Sequence, residues 1–305
     1  MRSIAEGRRG GDLPTFIVIG AMKAGTTSLY HYLRHHDEVF MPKVKELDFF
    51  VEEMNWSRGV DWYAQQFAGA DAKAVARGEA STVYAKFPRY RGVPARMAAV
   101  VPDVRLVYVV RDPIERIRSH YRHRVAMGAE TAGPDVALFE NPIYLDYSRY
   151  ALQVEQYLDH FPPGQLMVIT SEALRSERAP TMRTVYAFLG VDPDFVAPVI
   201  GTEFYRTDQR RSYPPVVWSA RQLVKRRFPQ AKRAKELVDS VASKRRRAAA
   251  EPLGAAAGAG GSAPAGPDDD SFPSPLRERL AELLVDDVAR LRSHVGHGFD
   301  GWGIA

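Results

Sequence analysis

The sequence predicts an α/β fold of three layers, in which a mostly parallel central sheet is flanked by helices. The runs 16–19 and 104–110 are apolar, except for Arg105 near the start of the second, and rich in β-branched residues, which is typical of strands buried on both faces. A third strand is predicted at 165–170. Helical patterns alternate with these strands, at 28–34, 144–158 and 180–190. Because alternating strands and helices build parallel sheets, we expect ligands to bind at the C-terminal ends of the strands.

The first predicted strand leads into a loop bounded by Gly20 and Gly25, after which three hydroxyl residues open a helix at 26–28. A strand, a glycine-bounded loop and a helix start together turn backbone N–H groups toward an anion. The loop is nearly a Walker A sequence, GxxxxGK[ST], but Thr26 occupies the lysine position and Lys23 lies inside the loop. We interpret it as a P-loop-like phosphate site that is not built for ATP with Mg²⁺. The alternative is an ordinary strand-to-helix turn with a solvated lysine.

The second apolar run leads into the segment RDPIERIRSHY at 111–121. Asp112 can cap the helix that follows, and Pro113 suits its first turn. An arginine at the end of a strand and a serine two turns along the next helix can clamp a phosphate through charge-assisted hydrogen bonds. Arg111 and Ser119 stand at these two positions.

The stretch PTFIVIGAMKAGTTSL and the pattern RDPxxRxxSxY resemble two motifs of the sulfotransferases that use 3′-phosphoadenosine 5′-phosphosulfate (PAPS). The resemblance is strongest to the branch of heparan-type and bacterial carbohydrate sulfotransferases, and it extends with gaps from about residue 14 to the mid-190s. It implies that Lys23 contacts the bridging oxygen and the 5′-phosphate of PAPS, and that Arg111 and Ser119 hold the 3′-phosphate. The remaining donors implied for the 5′-phosphate are Ala24, Gly25, Thr26, Thr27 and Ser28.

The segment KELDFF at 45–50 carries a glutamate among lysines. Glu46 follows Lys43 and Lys45 and precedes two large apolar anchors. A glutamate beside cations can stay ionised and accept a proton from a bound hydroxyl, although a surface salt bridge explains the pattern equally well. The resemblance implies that Glu46 is the general base, and that Lys45 lies near the sulfuryl group or the acceptor.

The segment GEASTVY at 78–84 departs from the family pattern. Relatives frequently carry a lysine directly after the glutamate, whereas Ala80 follows Glu79 here. One expected cation is therefore missing, so either Lys45 or an arginine compensates, or the acceptor is less anionic. Glu79 is a second candidate for the base or for a substrate contact.

The net charge of +5 is concentrated in one stretch. Residues 221–247 hold eleven basic residues against two acidic ones, a local charge of +9 that exceeds the charge of the whole chain. The remainder is therefore mildly acidic, and nucleic-acid binding is not expected. The basic stretch is predicted as either a solvated face or a contact with an anionic membrane or an acidic partner.

Composition divides the chain into five parts. We expect a flexible N-terminal tail, a sulfotransferase domain, a basic helical insertion, a low-complexity linker rich in Ala, Gly, Ser and Pro, and a C-terminal helix that packs back on the domain. Their predicted bounds are 1–13, 14–212, 213–247, 248–275 and 276–305.

Several chemistries are excluded or disfavoured. The sequence contains no cysteine, which excludes disulfides, thiolate nucleophiles and cysteine-based metal sites, and its histidines lack partners at metal-ligand spacing. No metal cofactor is expected. Residues 1–13 lack the apolar core of a signal peptide, and no apolar run approaches about 18 residues. A soluble, cytoplasmic protein is therefore expected.

The resemblance implies PAPS-dependent transfer of a sulfuryl group to a hydroxyl by in-line attack without metal. A carbohydrate acceptor is favoured, ahead of a glycolipid or a hydroxylated natural product. Two alternatives stay open. One is a P-loop nucleotide kinase-like enzyme, which the displaced lysine disfavours, and the other is a non-catalytic anion-binding protein. The oligomeric state is not predicted.

Overall fold

A five-stranded sheet forms the centre of the computed structural model, which describes residues 13–202, 271–295 and 298–305. Its strand order is β2–β3–β1–β4–β5, and every neighbouring pair is parallel. The predicted α/β fold is therefore confirmed. The strands are β1 (Phe16–Gly20), β2 (Val39–Phe40), β3 (Ala76–Ala80), β4 (Arg105–Val110) and β5 (Leu166–Thr170).

Helices connect and flank the strands. In the first half of the chain these are α1 (Thr26–Arg34), α2 (Gly59–Gln65), α3 (Val93–Val100), α4 (Pro113–Ala126), α5 (Pro134–Glu140) and α6 (Ile143–Asp146). They are followed by α7 (Tyr150–Leu158), α8 (Ser171–Ser176), α9 (Arg178–Leu189), α10 (Ser274–Glu282) and α11 (Val285–Leu291). A short 3₁₀ turn at Thr82–Ala85 directly follows β3 and bears on the site described below.

The chain divides into two compact units. The described residues of the first unit are 13–121, 133–202, 273–295 and 298–305, and they carry the sheet and the candidate site. In the second unit only 122–132 and 271–272 are described; there Arg124 pairs with Glu130 at 3.7 Å. The predicted basic insertion at 213–247, and the predicted linker up to residue 270, lie outside the described residues.

The core is built around β1 and β4, which lie side by side at the centre of the sheet. All five residues of β1 are buried, as are five of the six residues of β4. Gly78 of β3 pairs with Phe16 of β1, and a Cβ at Gly78 would lie 2.1 Å from the phenylalanine ring. Only a glycine allows this close approach, which explains the glycine in front of Glu79.

Two predicted helices differ from the observed elements. The pattern at 144–158 is interrupted between α6 and α7, where Arg149 leaves the helical conformation and Ser148 accepts a hydrogen bond from the buried Arg116 side chain (2.6 Å). The C-terminal segment comprises α10 and α11. In α11, the Asp287 carboxylate accepts the N–H groups of Ala151 and Leu152 at 3.0 Å, which caps the start of α7. Within the part of the chain that is described, no helix has the length and apolarity that a membrane crossing requires.

Candidate active site

The loop between β1 and α1 is open to an anion. It begins against the sheet, where Ala21 N–H donates to the Val109 carbonyl of β4 (2.6 Å). Gly25, the N-cap of α1, has φ 94° and is exposed. No side chain in the described part of the chain caps this helix start, and the first turn contains no acidic residue. The backbone N–H groups and the positive end of the helix dipole therefore face outward, as an anion site requires.

The predicted phosphate-loop residues all lie at this helix start. Ala24 and Thr26 are buried, whereas Lys23, Thr27 and Ser28 are partly exposed. Lys23 has a left-handed backbone with φ 74°, and its carbonyl accepts a hydrogen bond from Arg111 Nη1 (3.4 Å). The second predicted phosphate motif thus contacts the first.

The second motif forms the end of β4 and the start of α4. The Asp112 carboxylate accepts the N–H groups of Ile114 (2.8 Å) and Glu115 (3.2 Å), so the predicted helix cap is present. Arg111 also lies 3.6 Å from Glu115, which Arg118 (2.6 Å) and Arg277 (3.2 Å) neutralise further. On the same helix as Arg118, the predicted Ser119 is 7% exposed.

Glu46 lies on a loop that runs beside the end of β3. Its N–H donates to the Ala80 carbonyl (3.0 Å), and its Oε2 accepts the N–H (2.8 Å) and the hydroxyl (3.2 Å) of Thr82. Its Oε1 pairs with Lys45 Nζ, and the side chain is 35% exposed. Glu46 is therefore a fixed carboxylate that solvent, and hence a bound hydroxyl, can reach.

Glu79 lies beneath this loop and has a different environment. It is 2% exposed, and it accepts hydroxyl donors from Tyr63 (2.6 Å), Tyr84 (2.8 Å) and Ser81 (2.7 Å). Burial raises the pKa of Glu79 to about 7, against the opposing effect of these three donors. Because the carboxylate is enclosed, its position favours a supporting role over contact with an acceptor.

The hydroxyl groups around Glu79 also hold the loop that carries Glu46. Tyr84 Oη accepts the N–H of Phe49 (2.9 Å), and Ser81 Oγ accepts the N–H of Asp48 (3.0 Å). Glu79 therefore orients two hydroxyls that position the segment KELDFF. The structure thus joins the two acidic candidates in one network but exposes only Glu46.

Strained backbone is concentrated at this site. Among the described residues, four that are not glycine have positive φ, and three of them are Lys23 (74°), Glu46 (63°) and Asp48 (52°). Such conformations cost free energy and persist where the surrounding structure imposes them, commonly at functional sites. The fourth, Trp302, lies in a turn near the C-terminus.

Two charged residues at the site were not singled out from the sequence. Asp48 has a buried Oδ1 without a hydrogen-bond partner in the described structure, and burial together with Glu46 raises its pKa to about 6. Burial lowers the pKa of Lys86 to about 8, while Glu46 and Asp48 act in the opposite direction. Asp48 lies inside KELDFF, so its place two residues after Glu46 was a usable signal. Lys86 offered none, because most of its charged neighbours come from distant segments.

Within the described ranges, the structure contains no group of three or more His, Asp or Glu side chains that could hold a metal ion. The charged groups described above are instead Lys23 and Arg111 at the phosphate loop, and a cluster of carboxylates and lysines at the end of β3.

An α/β sheet with an anion loop after its central strand and an arginine contacting that loop is an arrangement suited to binding a phosphorylated ligand. The chain belongs to the sulfotransferase-domain family, whose model, described as "Sulfotransferase domain", matches residues 13–205. This match confirms the family resemblance stated from the two motifs.

Named relatives share this domain. The chain is 30% identical over 206 residues to the human "Bifunctional heparan sulfate N-deacetylase/N-sulfotransferase 3", an alignment that covers 60% of this chain and 23% of the relative. It is 29% identical over 229 residues to the mouse "Heparan sulfate glucosamine 3-O-sulfotransferase 3B1", covering 70% of this chain and 54% of the relative. The chain therefore spans less than a quarter of the bifunctional relative and about half of the 3-O-sulfotransferase.

A solved bacterial structure has a similar fold. The sulfotransferase from Alicyclobacillus acidocaldarius superposes with a TM-score of 0.65 and 25% sequence identity, covering 95% of this chain and 98% of that one.

Proposed function

We propose that this protein is a PAPS-dependent sulfotransferase that transfers a sulfuryl group to a hydroxyl of a glycan acceptor. The observation that carries the proposal is the contact between the two phosphate motifs. Arg111 and Lys23 are 88 residues apart in the chain, yet the arginine donates to the lysine carbonyl (3.4 Å). A ligand bound at the loop is therefore within reach of both motifs, as a nucleotide with phosphates at both its 5′ and 3′ positions requires.

The residues present fit such a nucleotide. The uncapped start of α1 and Lys23 suit the 5′-phosphosulfate, and Arg111 suits the 3′-phosphate. PAPS supplies an activated sulfuryl group and leaves as adenosine 3′,5′-bisphosphate (PAP). Lys23 neutralises the charge that develops on the leaving phosphate, which is the electrostatic role that a fixed cation fulfils best.

Glu46 accepts the acceptor proton. Thr82 fixes its Oε2 through two donors, and Lys45 pairs with its Oε1. Because each carboxylate oxygen has two lone pairs, the 35% exposed side chain can still accept a hydroxyl hydrogen bond. As the hydroxyl oxygen bonds to sulfur, the proton moves to Glu46 and the bond between sulfur and the phosphate oxygen breaks.

The acceptor class is inferred from the relatives. Both relatives mentioned above are named for heparan sulfate, a polysaccharide, so we infer a glycan acceptor for this chain. We propose no metal cofactor for the transfer, because Lys23 and the α1 N-terminus supply the positive charge that the leaving group needs.

Nucleotide binding tests the donor. Calorimetric titration should show PAP binding at least ten-fold tighter than ATP with Mg²⁺, because ATP lacks the 3′-phosphate and a charge-assisted hydrogen bond is worth about 1.5–3 kcal/mol. Equal or tighter binding of ATP would refute the proposal. Transfer from ³⁵S-labelled PAPS to heparosan oligosaccharides should then exceed transfer to maltose oligosaccharides of equal length. The reverse order would refute an acceptor that resembles heparan sulfate, and the absence of transfer to either oligosaccharide would refute the glycan class.

A further inference from the structure

Lys86 comes directly after a turn that contacts both the donor loop and Glu46. It follows the 3₁₀ turn Thr82–Ala85, whose first residue holds Glu46 through two hydrogen bonds. The last residue of the turn, Ala85, packs on the start of the phosphate loop, where its Cβ is 2.9 Å from the position a Cβ on Gly20 would occupy. The turn therefore contacts the donor loop at one end and the proposed base at the other, and Lys86 emerges from it.

The surroundings of Lys86 mix both signs of charge. Glu46 and Asp48 attract its ammonium group, Arg116 and Arg89 repel it, and the ring centroid of Tyr147 lies 5.6 Å from Nζ. No carboxylate in the described ranges forms a salt bridge with it. A partly desolvated ammonium without an ion-pair partner is costly, and such groups are concentrated at functional sites.

Asp48 completes the cluster. Its backbone is held at φ 52°, and its buried Oδ1 accepts no hydrogen bond from the described residues. Two carboxylates and one ammonium are thus assembled at the end of β3, yet the ammonium pairs with neither. A purely structural lysine would gain most by closing onto one of these carboxylates, so the arrangement favours a group that interacts with a ligand.

We propose, resting on the proposed function, that Lys86 is a catalytic residue whose ammonium contacts the sulfuryl oxygens during transfer. Asp48 is its positioning residue. As the bond from the acceptor oxygen to sulfur forms and the bond from sulfur to the phosphate oxygen breaks, Lys86 stays protonated. It transfers no proton, since Glu46 takes the proton of the acceptor.

The test compares Lys86→Met and Lys86→Arg with Lys73→Met, an exposed lysine in the loop before β3. PAP has no sulfuryl group, so all three variants should bind it within about two-fold of the native protein. In Lys86→Met, the kcat for transfer from PAPS to a heparosan oligosaccharide should fall about 10²- to 10³-fold. If no sugar is sulfated, the same fall is expected for transfer to water. Lys86→Arg should recover part of the loss, and Lys73→Met should match the native protein.

The pH profile separates a catalytic role from a structural one. Because the pKa of Lys86 is lowered to about 8, kcat/KM should fall as the pH rises through 8. In Lys86→Arg, the pH at which kcat/KM falls should be higher by more than one unit. The inference would be overturned if the kcat of Lys86→Met stayed within three-fold of the native value. It would also be overturned if kcat/KM of Lys86→Arg fell at the same alkaline pH as that of the native protein, or if both Lys86 variants lost PAP binding. If the native protein itself fails to bind PAP, the proposed function fails instead.

Discussion

Replacing Glu46 by Gln separates the proposed base from its supporting network. The amide keeps the size of the side chain and an oxygen that can accept the two Thr82 donors. It cannot accept the proton of the attacking hydroxyl. A positioned general base is worth about 10²- to 10⁴-fold, so kcat should fall by that factor, while PAP affinity stays within two-fold because the carboxylate faces the acceptor.

The stability cost of this change should be small. Glu46 is 35% exposed and its partner Lys45 is 19% exposed, so the ion pair is screened by solvent and contributes about 0–1 kcal/mol. For a domain of this size, 1 kcal/mol changes Tm by about 2–4 °C. The variant should therefore unfold within about 4 °C of the native protein.

Glu79→Gln is the matched control, because it makes the same substitution in a buried carboxylate. Three hydroxyl donors converge on Glu79, and an amide would direct its own N–H groups at one of them. Leaving a buried polar group without its partner costs about 1–3 kcal/mol, so Tm should fall further than in Glu46→Gln. Residual kcat, measured below the new Tm, should exceed that of Glu46→Gln.

The assay is single-turnover transfer from ³⁵S-labelled PAPS, with calorimetric PAP binding and thermal unfolding measured on the same preparations. The assignment of Glu46 is refuted if Glu79→Gln abolishes transfer with unchanged Tm while Glu46→Gln stays active. The base would then belong to the segment GEASTVY.

Two further predictions follow from the donor site and from the pKa of Glu79. Arg111→Ala should weaken PAP binding about 10- to 150-fold, since each charge-assisted bond is worth about 1.5–3 kcal/mol. The affinity for AMP, which lacks a 3′-phosphate, should stay within two-fold of the native value by calorimetry. Equal losses of affinity for both nucleotides would show that Arg111 only supports the Lys23 loop. Because the pKa of Glu79 is raised from 4.5 to about 7, the folded state retains its proton through that range, and stability should fall as the pH rises from about 4.5 to 7. The urea-measured stability lost in Glu79→Gln should therefore be smaller at pH 8 than at pH 5, and a constant loss would contradict the raised pKa.

The parts of the site that are local in sequence were predictable. The phosphate loop is one strand, one loop and one helix start, and Asp112 caps the helix that directly follows its own strand. Such features depend on neighbouring residues, whose spacing is visible in the sequence. The fold class was predictable for the same reason, because alternating buried strands and helices allow few arrangements.

The parts that depend on distant contacts were not predictable. Glu46 and Glu79 look alike in sequence. Glu79 is enclosed because the hydroxyls of Tyr63 and Tyr84 contact its carboxylate. The break at Ser148 arises because Arg116, 32 residues earlier, takes its hydroxyl as an acceptor. Lys86 acquires its environment from Arg116 and from the carboxylates of KELDFF, and no pattern in its own segment reveals this.

The position of β1 at the centre of the sheet has a consequence for the order in which the protein can assemble. Both neighbours of β1 come later in the chain, with Phe16 paired to Gly78 and to Arg105. During synthesis the first strand therefore emerges long before its partners, and these separations favour slow, late pairing. The N–H of Ala21 finds its acceptor only when Val109 arrives, so the donor loop is completed only after β4 has joined the sheet. The proposed nucleotide site would thus be completed only once β1 and β4 have paired.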